Sequence, residues 1–175
     1  DALQSNWTGI IIDSSGFVKR FFYKFSNLVV VSEDKDFIVY QKPDGTFERK
    51  MKYHEFSSIV TETRSEKIAL LQLRDKAEEM KGFIGKELLL EGVIITPYTS
   101  LDEETGEISH GATTTIITDN FTKAVVTSSK TVYFKIKELI DLFGHDLFNE
   151  GDQLTIRPIT EKGQKHMLTT IELVG

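Results

Sequence analysis

Short apolar runs alternate with polar turns along the first sixty residues, the pattern of antiparallel strands. The runs are "TGIII", "FVKRFFYKF", "LVVV", "FIVYQ" and "TFERKMKY". Pro43, Asp44 and Gly45 lie between the last two runs. They favour a tight hairpin turn, because Pro fixes φ and Gly tolerates positive φ. The pattern predicts an antiparallel β-meander of four or five strands.

Helical spacing replaces the alternation after Thr63. Thr63 and Glu66 have the spacing of a capping box at the start of a helix. Apolar side chains then recur at helical spacing up to Gly85: Leu70, Leu73, Ala77, Met80 and Ile84. These signals predict one helix over roughly residues 64–84, which would close a first domain over residues 1–85.

Residues 86–175 show the pattern of three strands, one helix and two more strands. The strands are predicted from "KELLLEGVIITPY", "ATTTIIT", "KAVVTSS", "DQLTIRPIT" and "KHMLTTIELV". The helix, over about residues 130–143, ends at Gly144 and has one apolar face: Val132, Ile136, Leu139, Ile140 and Phe143. This is the element order of an OB-fold, a five-stranded Greek-key barrel with its helix between strands 3 and 4.

The expected fold is therefore mainly β with two helices (α+β). An N-terminal antiparallel β-meander with a closing helix would occupy residues 1–85, and a five-stranded OB-fold-like barrel residues 86–175. The two parts are expected either as separate domains or packed as one unit.

Composition narrows the classes of function. The chain has no cysteine, which excludes disulfides, thiol nucleophiles and cysteine-ligated metals. No apolar run approaches the roughly 20 residues of a membrane span, and we expect a soluble, cytoplasmic protein. The net charge is −6, and the charge is unevenly distributed along the chain. Residues 1–86 carry 14 basic and 13 acidic side chains, whereas residues 87–175 carry 7 basic and 14 acidic side chains.

The stretch "GFVKRFFYKF" (16–25) is rich in aromatic and basic residues. In a strand, Arg20, Phe22 and Lys24 share one face, where an aromatic ring between two cations suits base stacking and phosphate contact. The alternative is a solvated outer face with Phe22 packed under a neighbour. Strand alternation argues against a membrane-binding helix.

A second basic cluster, "ERKMKYH", contributes Lys50 and Lys52. It either extends the positive surface or keeps an edge strand soluble. The usual ligand surface of an OB-fold supplies further candidates: Tyr98, Phe121, Lys123, Arg157, Lys162, Lys165 and His166. The loop with Asp102, Glu103, Glu104 and Glu107 would repel phosphate, so it swings away, binds a basic protein segment, or mimics nucleic acid. A cation site there is less favoured, because the spacing is not that of an EF-hand.

Three stretches of residues 92–175 carry a family likeness: "GVIITPYTSLDEETGEISHGATTTIITDNFTKAVVTSSKTV", "KELIDLF" and "TIRPITEKGQKHMLTTIEL". In these stretches the chain resembles the small single-stranded-DNA-binding proteins of tailed phages that replicate by protein priming. It implies an OB-fold that coats single-stranded DNA without sequence preference and stacks bases on tyrosines, with Tyr98 at one such position. At other tyrosine positions of the family this chain has residues such as Thr105 and Lys123. The N-terminal meander has no counterpart in that likeness.

No catalytic motif appears: the chain lacks HExxH, GxSxG, a Walker-type loop and GxGxxG. We therefore expect no enzyme activity, no cofactor and no metal. The leading hypothesis is a protein that coats single-stranded DNA during phage replication or recombination, in the host cytoplasm. RNA, replication proteins and further copies of the chain are additional candidate partners. The alternative is a protein-interaction or assembly module of a phage or mobile element, which the acidic second half favours.

Overall fold

The computed structural model of the chain describes residues 9–12, 18–21, 29–102 and 104–175. It divides the chain into two compact units. Unit 1 lies within Asp1–Tyr53 and Tyr98–Gly111, and unit 2 comprises His54–Pro97 and Ala112–Gly175. The division of the chain into these units does not fall at residue 85, the predicted boundary, because unit 2 already begins at His54. Residues 54–85 belong to unit 2 because two short strands in this segment pair with strands of the second half.

Unit 1 begins with antiparallel strands. These are β1 (Gly9–Ile12), β2 (Val18–Phe21), β3 (Val29–Glu33), β4 (Phe37–Gln41) and β5 (Phe47–Met51). β1 pairs with β2, and β3, β4 and β5 form a sheet in that order. Gly45 has φ +85° in the turn between β4 and β5, and the Asp44 carboxylate accepts a hydrogen bond from the Thr46 N–H at 2.9 Å. The predicted hairpin turn is therefore confirmed.

A small core holds unit 1 together. Ile38 and Tyr40 on β4 are buried with Ile108, and Val30 and Leu101 pack against them. Ile38 and Tyr40 are two apart on a strand, so their side chains point to the same face. Ile108 and Leu101 come from the two strands of a distant hairpin, which is why part of that hairpin belongs to this unit.

The remaining strands are β6 (Phe56–Ser57), β7 (Glu78–Glu79), β8 (Leu88–Leu89), β9 (Gly92–Leu101), β10 (Ile108–Thr118), β11 (Lys123–Thr127), β12 (Thr155–Lys162) and β13 (Met167–Val174). One sheet has the order β6-β9-β10-β11-β7, and another has the order β13-β12-β8. The strands predicted for the barrel thus lie in two sheets, and the described strands do not close into one barrel. The mainly β class with two α-helices is confirmed, and it is consistent with an OB-like fold at this coarse level.

The first helix, α1 (Arg64–Asp75), is shorter than predicted. The capping box is confirmed, since the Thr63 hydroxyl accepts from the Glu66 N–H at 3.2 Å and the Glu66 carboxylate from the Thr63 N–H at 2.8 Å. The predicted continuation to residue 84 is wrong. β7 pairs in parallel with β11, and a 3₁₀ turn over Met80–Phe83 follows. Met80 fits the helical spacing but is buried by this tertiary packing instead.

The second helix, α2 (Lys130–Phe143), agrees with the sequence prediction at both ends. The Ser129 hydroxyl caps its N-terminus, and Gly144 follows its last turn with φ +63°. Four of the five predicted face residues are buried, whereas Phe143 is 46% exposed. The fully buried side chains of unit 2 include Val132 and Ile136 on this helix and, elsewhere in the unit, Leu90, Val93, Ile95, Ile116, Ile117, Val125 and Ile156.

Candidate nucleic-acid interface

Tyr98, on β9, lies against the backbone of Gly111 on β10. A Cβ atom added at Gly111 would be 2.7 Å from both Cζ and Oη of Tyr98. The ring therefore occupies the space that a side chain at position 111 would need, and Gly111 is buried beneath it. Tyr98 itself is 41% exposed. We call this pair the Tyr98 platform: an aromatic ring supported by backbone and accessible to a ligand.

His110 lies beside the platform in a set of hydrogen bonds that sequence analysis did not anticipate. Its Nε2 is 2.7 Å from the Tyr40 hydroxyl, its Nδ1 is 3.3 Å from Thr99 Oγ1, and its ring stacks on Tyr40. Burial, together with the positive charge of Lys50, lowers the pKa of His110 below its ordinary value. A neutral imidazole therefore joins β4 to the hairpin that carries Tyr98.

The lysines predicted from the second basic cluster are engaged within unit 1. Lys50 Nζ donates to the Ile108 carbonyl at 2.6 Å and pairs with Glu48 at 3.4 Å. Lys52 Nζ pairs with Glu33 and donates to the Asp34 carbonyl at 2.9 Å. A phosphate that bound either lysine would have to displace these partners.

The acidic loop between β9 and β10 is ordered by its own hydrogen bonds. Asp102 Oδ1 accepts from the N–H groups of Glu104 and Thr105 at 2.8 and 3.0 Å. These bonds lower the pKa of the Asp102 carboxyl. Glu104 and Glu107 are exposed, and Glu103 lies outside the described residues. The loop thus presents negative charge in the same unit as Tyr98.

The aromatic and basic stretch at residues 16–25 is described only in part. Arg20 belongs to β2 and pairs in register with Ile10. Phe22 and Lys24 lie outside the described residues. The strand is therefore confirmed for Val18–Phe21, while the role of these three side chains stays a prediction.

In unit 2, Phe121 lies in the turn between β10 and β11. Asp119, Asn120 and Phe121 have φ of 58°, 56° and 59°, so three consecutive residues adopt the left-handed conformation. We call these residues the Phe121 turn. The buried Glu91 carboxylate accepts hydrogen bonds from the N–H groups of Asn120 and Phe121. Phe121 is 54% exposed, and Lys123 follows at the start of β11.

Arg157, also predicted as a phosphate contact, is held between two carboxylates. Its guanidinium donates to Glu172 Oε1 at 2.8 Å and to Glu87 Oε1 at 2.9 Å. The hydrogen bond to Glu172, and after it the hydrogen bond to Glu87, raises the pKa of Arg157. Both terminal nitrogens of the guanidinium group therefore already have a carboxylate partner.

Lys162 and Lys165 lie at the end of the β12–β13 hairpin. Lys162 is in register with Met167, and the Gly163 N–H donates to the His166 carbonyl at 3.0 Å to close the turn. Lys162, Lys165 and His166 are exposed. Apart from Arg157 within β12, the predicted residues of unit 2 thus fall at or beside the Phe121 turn and at this hairpin end, while Tyr98, Lys50 and Lys52 belong to unit 1.

Comparison with known proteins identifies the family. The single-stranded DNA-binding protein of Bacillus phage GA-1 is 38% identical over 140 residues, which cover 76% of this chain and 78% of that protein. The chain belongs to the phage single-stranded DNA-binding proteins. No protein-family model matches the sequence, and no solved structure matches it.

The relationship to this family reaches further along the chain than the sequence likeness suggested. A match over 76% of the chain extends upstream of residue 92, so it includes part of the first half. Residues of the N-terminal half therefore have counterparts in a phage single-stranded DNA-binding protein. As for membranes, the helices in the described ranges lack the length and hydropathy that a span needs.

Proposed function

We propose that this chain binds single-stranded DNA and coats it without sequence preference during phage replication. The observation that carries the proposal is the 38% identity to a phage single-stranded DNA-binding protein over most of both chains. Binding of this kind needs aromatic faces for bases and cations for phosphates, and it needs no covalent chemistry. We therefore propose that the chain acts by binding alone, without a cofactor.

The Tyr98 platform supports this proposal as a base-stacking surface. A ring that lies on a glycine backbone is held in place without a covering side chain, so a base could stack on it at little entropic cost. Every base has a π face, and stacking is consequently tolerant of sequence. Phe121, which is also exposed, and Phe22 are the further aromatic members of the proposed interface.

The proposed phosphate contacts differ in availability. Lys162, Lys165 and Lys123 are proposed as direct contacts, together with Arg20 and Lys24 of the N-terminal stretch. Lys50 and Lys52 are proposed as secondary contacts, because each must exchange an internal partner for phosphate. We assign Arg157 to holding β12 and β13 together, since Glu87 and Glu172 already occupy its guanidinium.

The experiment is a titration of fluorescently labelled oligo-dT with the full chain, followed by anisotropy at several salt concentrations. Non-specific binding to single strands should weaken with salt, with a slope near −0.7 for each phosphate neutralised. Oligo-dA and oligo-U of equal length test sequence tolerance and the preference for DNA over RNA. Absence of binding at micromolar protein in low salt would refute the proposal.

One observation favours the alternative, a protein-interaction or assembly module. Helix α1 has no buried residue, and it exposes Ile68 and Leu71 at 45% and 58%. Exposed apolar side chains on one helix suit contact with another protein. Light scattering separates the two functions: a stable higher oligomer that is indifferent to oligonucleotide would favour assembly.

A further inference from the structure

The Phe121 turn has a backbone conformation that its residues do not favour. Glycine, and to a lesser degree Asn and Asp, adopt positive φ, but a bulky aromatic residue rarely does. Phe121 nevertheless has φ +59°, and its side chain is 54% exposed. Strain of this kind persists only where the surroundings impose it, and it concentrates at functional sites. We therefore looked for the group that imposes this conformation and for the function that it serves.

Glu91 supplies the restraint. It is only 7% exposed, and its Oε1 accepts from the Asn120 N–H at 3.0 Å while its Oε2 accepts from the Phe121 N–H at 3.1 Å. Its own N–H donates to the Ile117 carbonyl at 3.0 Å, which fixes the residue beside β10. Hydrogen bonds to a carboxylate are stronger than those between neutral groups. One buried side chain thus holds two consecutive N–H groups of the turn.

A cavity of about 440 Å³ adjoins the turn, and Phe83, Lys86, Asp119, Asn120 and Lys123 contribute to its lining. The Nζ atoms of Lys86 and Lys123 are each 5.4 Å from the centre of the Phe83 ring, so both cations lie near the same aromatic side chain. Of the acidic side chains in the lining, Glu87 pairs with Arg157 and Glu91 holds the turn. Asp119 adds a negative charge to the same lining as the two lysines.

We infer that the Phe121 turn and this cavity form a nucleotide subsite, in which the base stacks on Phe121 and Lys86 and Lys123 hold the adjoining phosphate. Glu91 is the positioning residue that presents Phe121. The inference rests on the proposed function and deepens it, because it adds Lys86 and Glu91 to the proposed interface. The strained turn then has a function: it exposes the Phe121 ring directly after Asp119 and Asn120, which line the cavity together with Lys86 and Lys123.

Three variants of the full chain test the subsite by anisotropy with oligo-dT. Phe121→Gly removes the ring but suits the positive φ, so affinity should fall about tenfold while the unfolding temperature does not fall. Lys86→Gln with Lys123→Gln should reduce the magnitude of the salt slope by about 0.7, the value for one phosphate. Asp119→Asn, which tolerates the same conformation, should tighten binding because it removes the opposing charge.

The role of Glu91 is tested by Glu91→Gln, whose amide has one acceptor oxygen for two N–H groups. If Glu91 acts through Phe121, Glu91→Gln lowers affinity in the natural chain but not in the Phe121→Gly background. Equal losses in both backgrounds would overturn the positioning role.

A Phe121→Trp variant reports directly on stacking. It should retain affinity, and oligo-dT should quench its fluorescence beyond any change that Trp7 shows in the natural chain. Binding by the natural chain with unchanged affinity in Phe121→Gly and in the double lysine variant overturns the subsite alone. Failure of the natural chain to bind oligo-dT overturns the proposed function as well.

Discussion

Tyr98 and Gly111 are packed so closely that a methyl group at position 111 would lie 2.7 Å from the tyrosine ring. The two residues are on adjacent strands, and the ring of one fills the place of the missing side chain of the other. An aromatic residue that covers a cross-strand glycine is a recognised way of stabilising a sheet. In this chain the same arrangement also holds a partly exposed ring in a defined orientation.

The first prediction concerns Gly111→Ala. The added methyl group must displace the far end of the Tyr98 side chain, which is 41% exposed and can move aside, so we expect the free energy of unfolding to fall by no more than about 1 kcal/mol, the lower end for overpacked sites. Oligo-dT affinity should fall as well. Urea denaturation and anisotropy measure the two effects.

Gly82→Ala is the matched control for that variant. A Cβ at Gly82 has no atom within 4 Å, and the residue does not have positive φ. The control should therefore keep both stability and affinity. If Gly111→Ala behaved like Gly82→Ala, the close packing of Tyr98 on residue 111 would be refuted.

The second prediction concerns the Tyr98 ring itself. Tyr98→Leu should weaken oligo-dT binding by about 1–3 kcal/mol, the range for loss of one base–aromatic stack. Tyr98→Phe keeps the ring and should bind nearly as tightly as the natural chain. Equal affinity of the Leu and Phe variants would mean that Tyr98 meets solvent rather than a base.

Local signals account for the parts of the structure that sequence analysis predicted correctly. The Ser129 cap and Gly144 bound α2, and the Pro43–Gly45 turn forms its hairpin, because each depends on neighbours along the chain. The end of α1 could not be predicted, since β7 forms only by pairing with β11 nearly fifty residues later. The partnership of Tyr98 with Gly111 likewise depends on the register between two strands.

The candidate site shows the same limit. The usual ligand surface of an OB-fold predicted Tyr98, Phe121 and Lys123. It did not predict the residues that hold the two aromatic side chains in position, Gly111 and Glu91. Glu91 looks like one polar residue in an apolar run, and only the fold brings its carboxylate to the Phe121 turn. The pairing of Arg157 with Glu87 joins residues 70 positions apart, so the sequence could not reveal that this cation is already occupied.

The third prediction concerns pH. The pKa of His110 is lowered below 6.5 in the folded chain, first by burial and then by Lys50. The unfolded chain therefore takes up a proton at higher pH than the folded chain. The stability contributed by neutral His110 is complete above pH 6.5 and is lost as pH falls from 6.5 through the lowered value.

Thermal unfolding between about pH 7.5 and pH 5 measures this effect. His110→Gln should flatten the decline in unfolding temperature over that window. His166→Gln, at an exposed position in the β12–β13 turn, is the control and should leave the decline unchanged. An identical decline in the natural chain and in His110→Gln would contradict the assignment.

The fourth prediction separates free from occupied cations. Lys162→Gln and Lys165→Gln should each reduce the magnitude of the salt slope by about 0.7 if each lysine neutralises one phosphate. Arg157→Gln should lower the unfolding temperature, because Glu87 and Glu172 lose their partner, and should leave the slope unchanged. Lys137→Gln, which removes a lysine paired with Asp141 on α2, is the control for loss of positive charge alone. A slope that responds to Arg157 and not to the two hairpin lysines would contradict this part of the interface.

The affinity of the full chain for oligo-dT, measured by anisotropy between about 50 mM and 200 mM salt, tests whether the chain binds single-stranded DNA by stacking and electrostatics. We expect binding in low salt that weakens linearly on a logarithmic salt scale and is similar for oligo-dA. No binding in low salt, or an affinity that salt does not change, would contradict it.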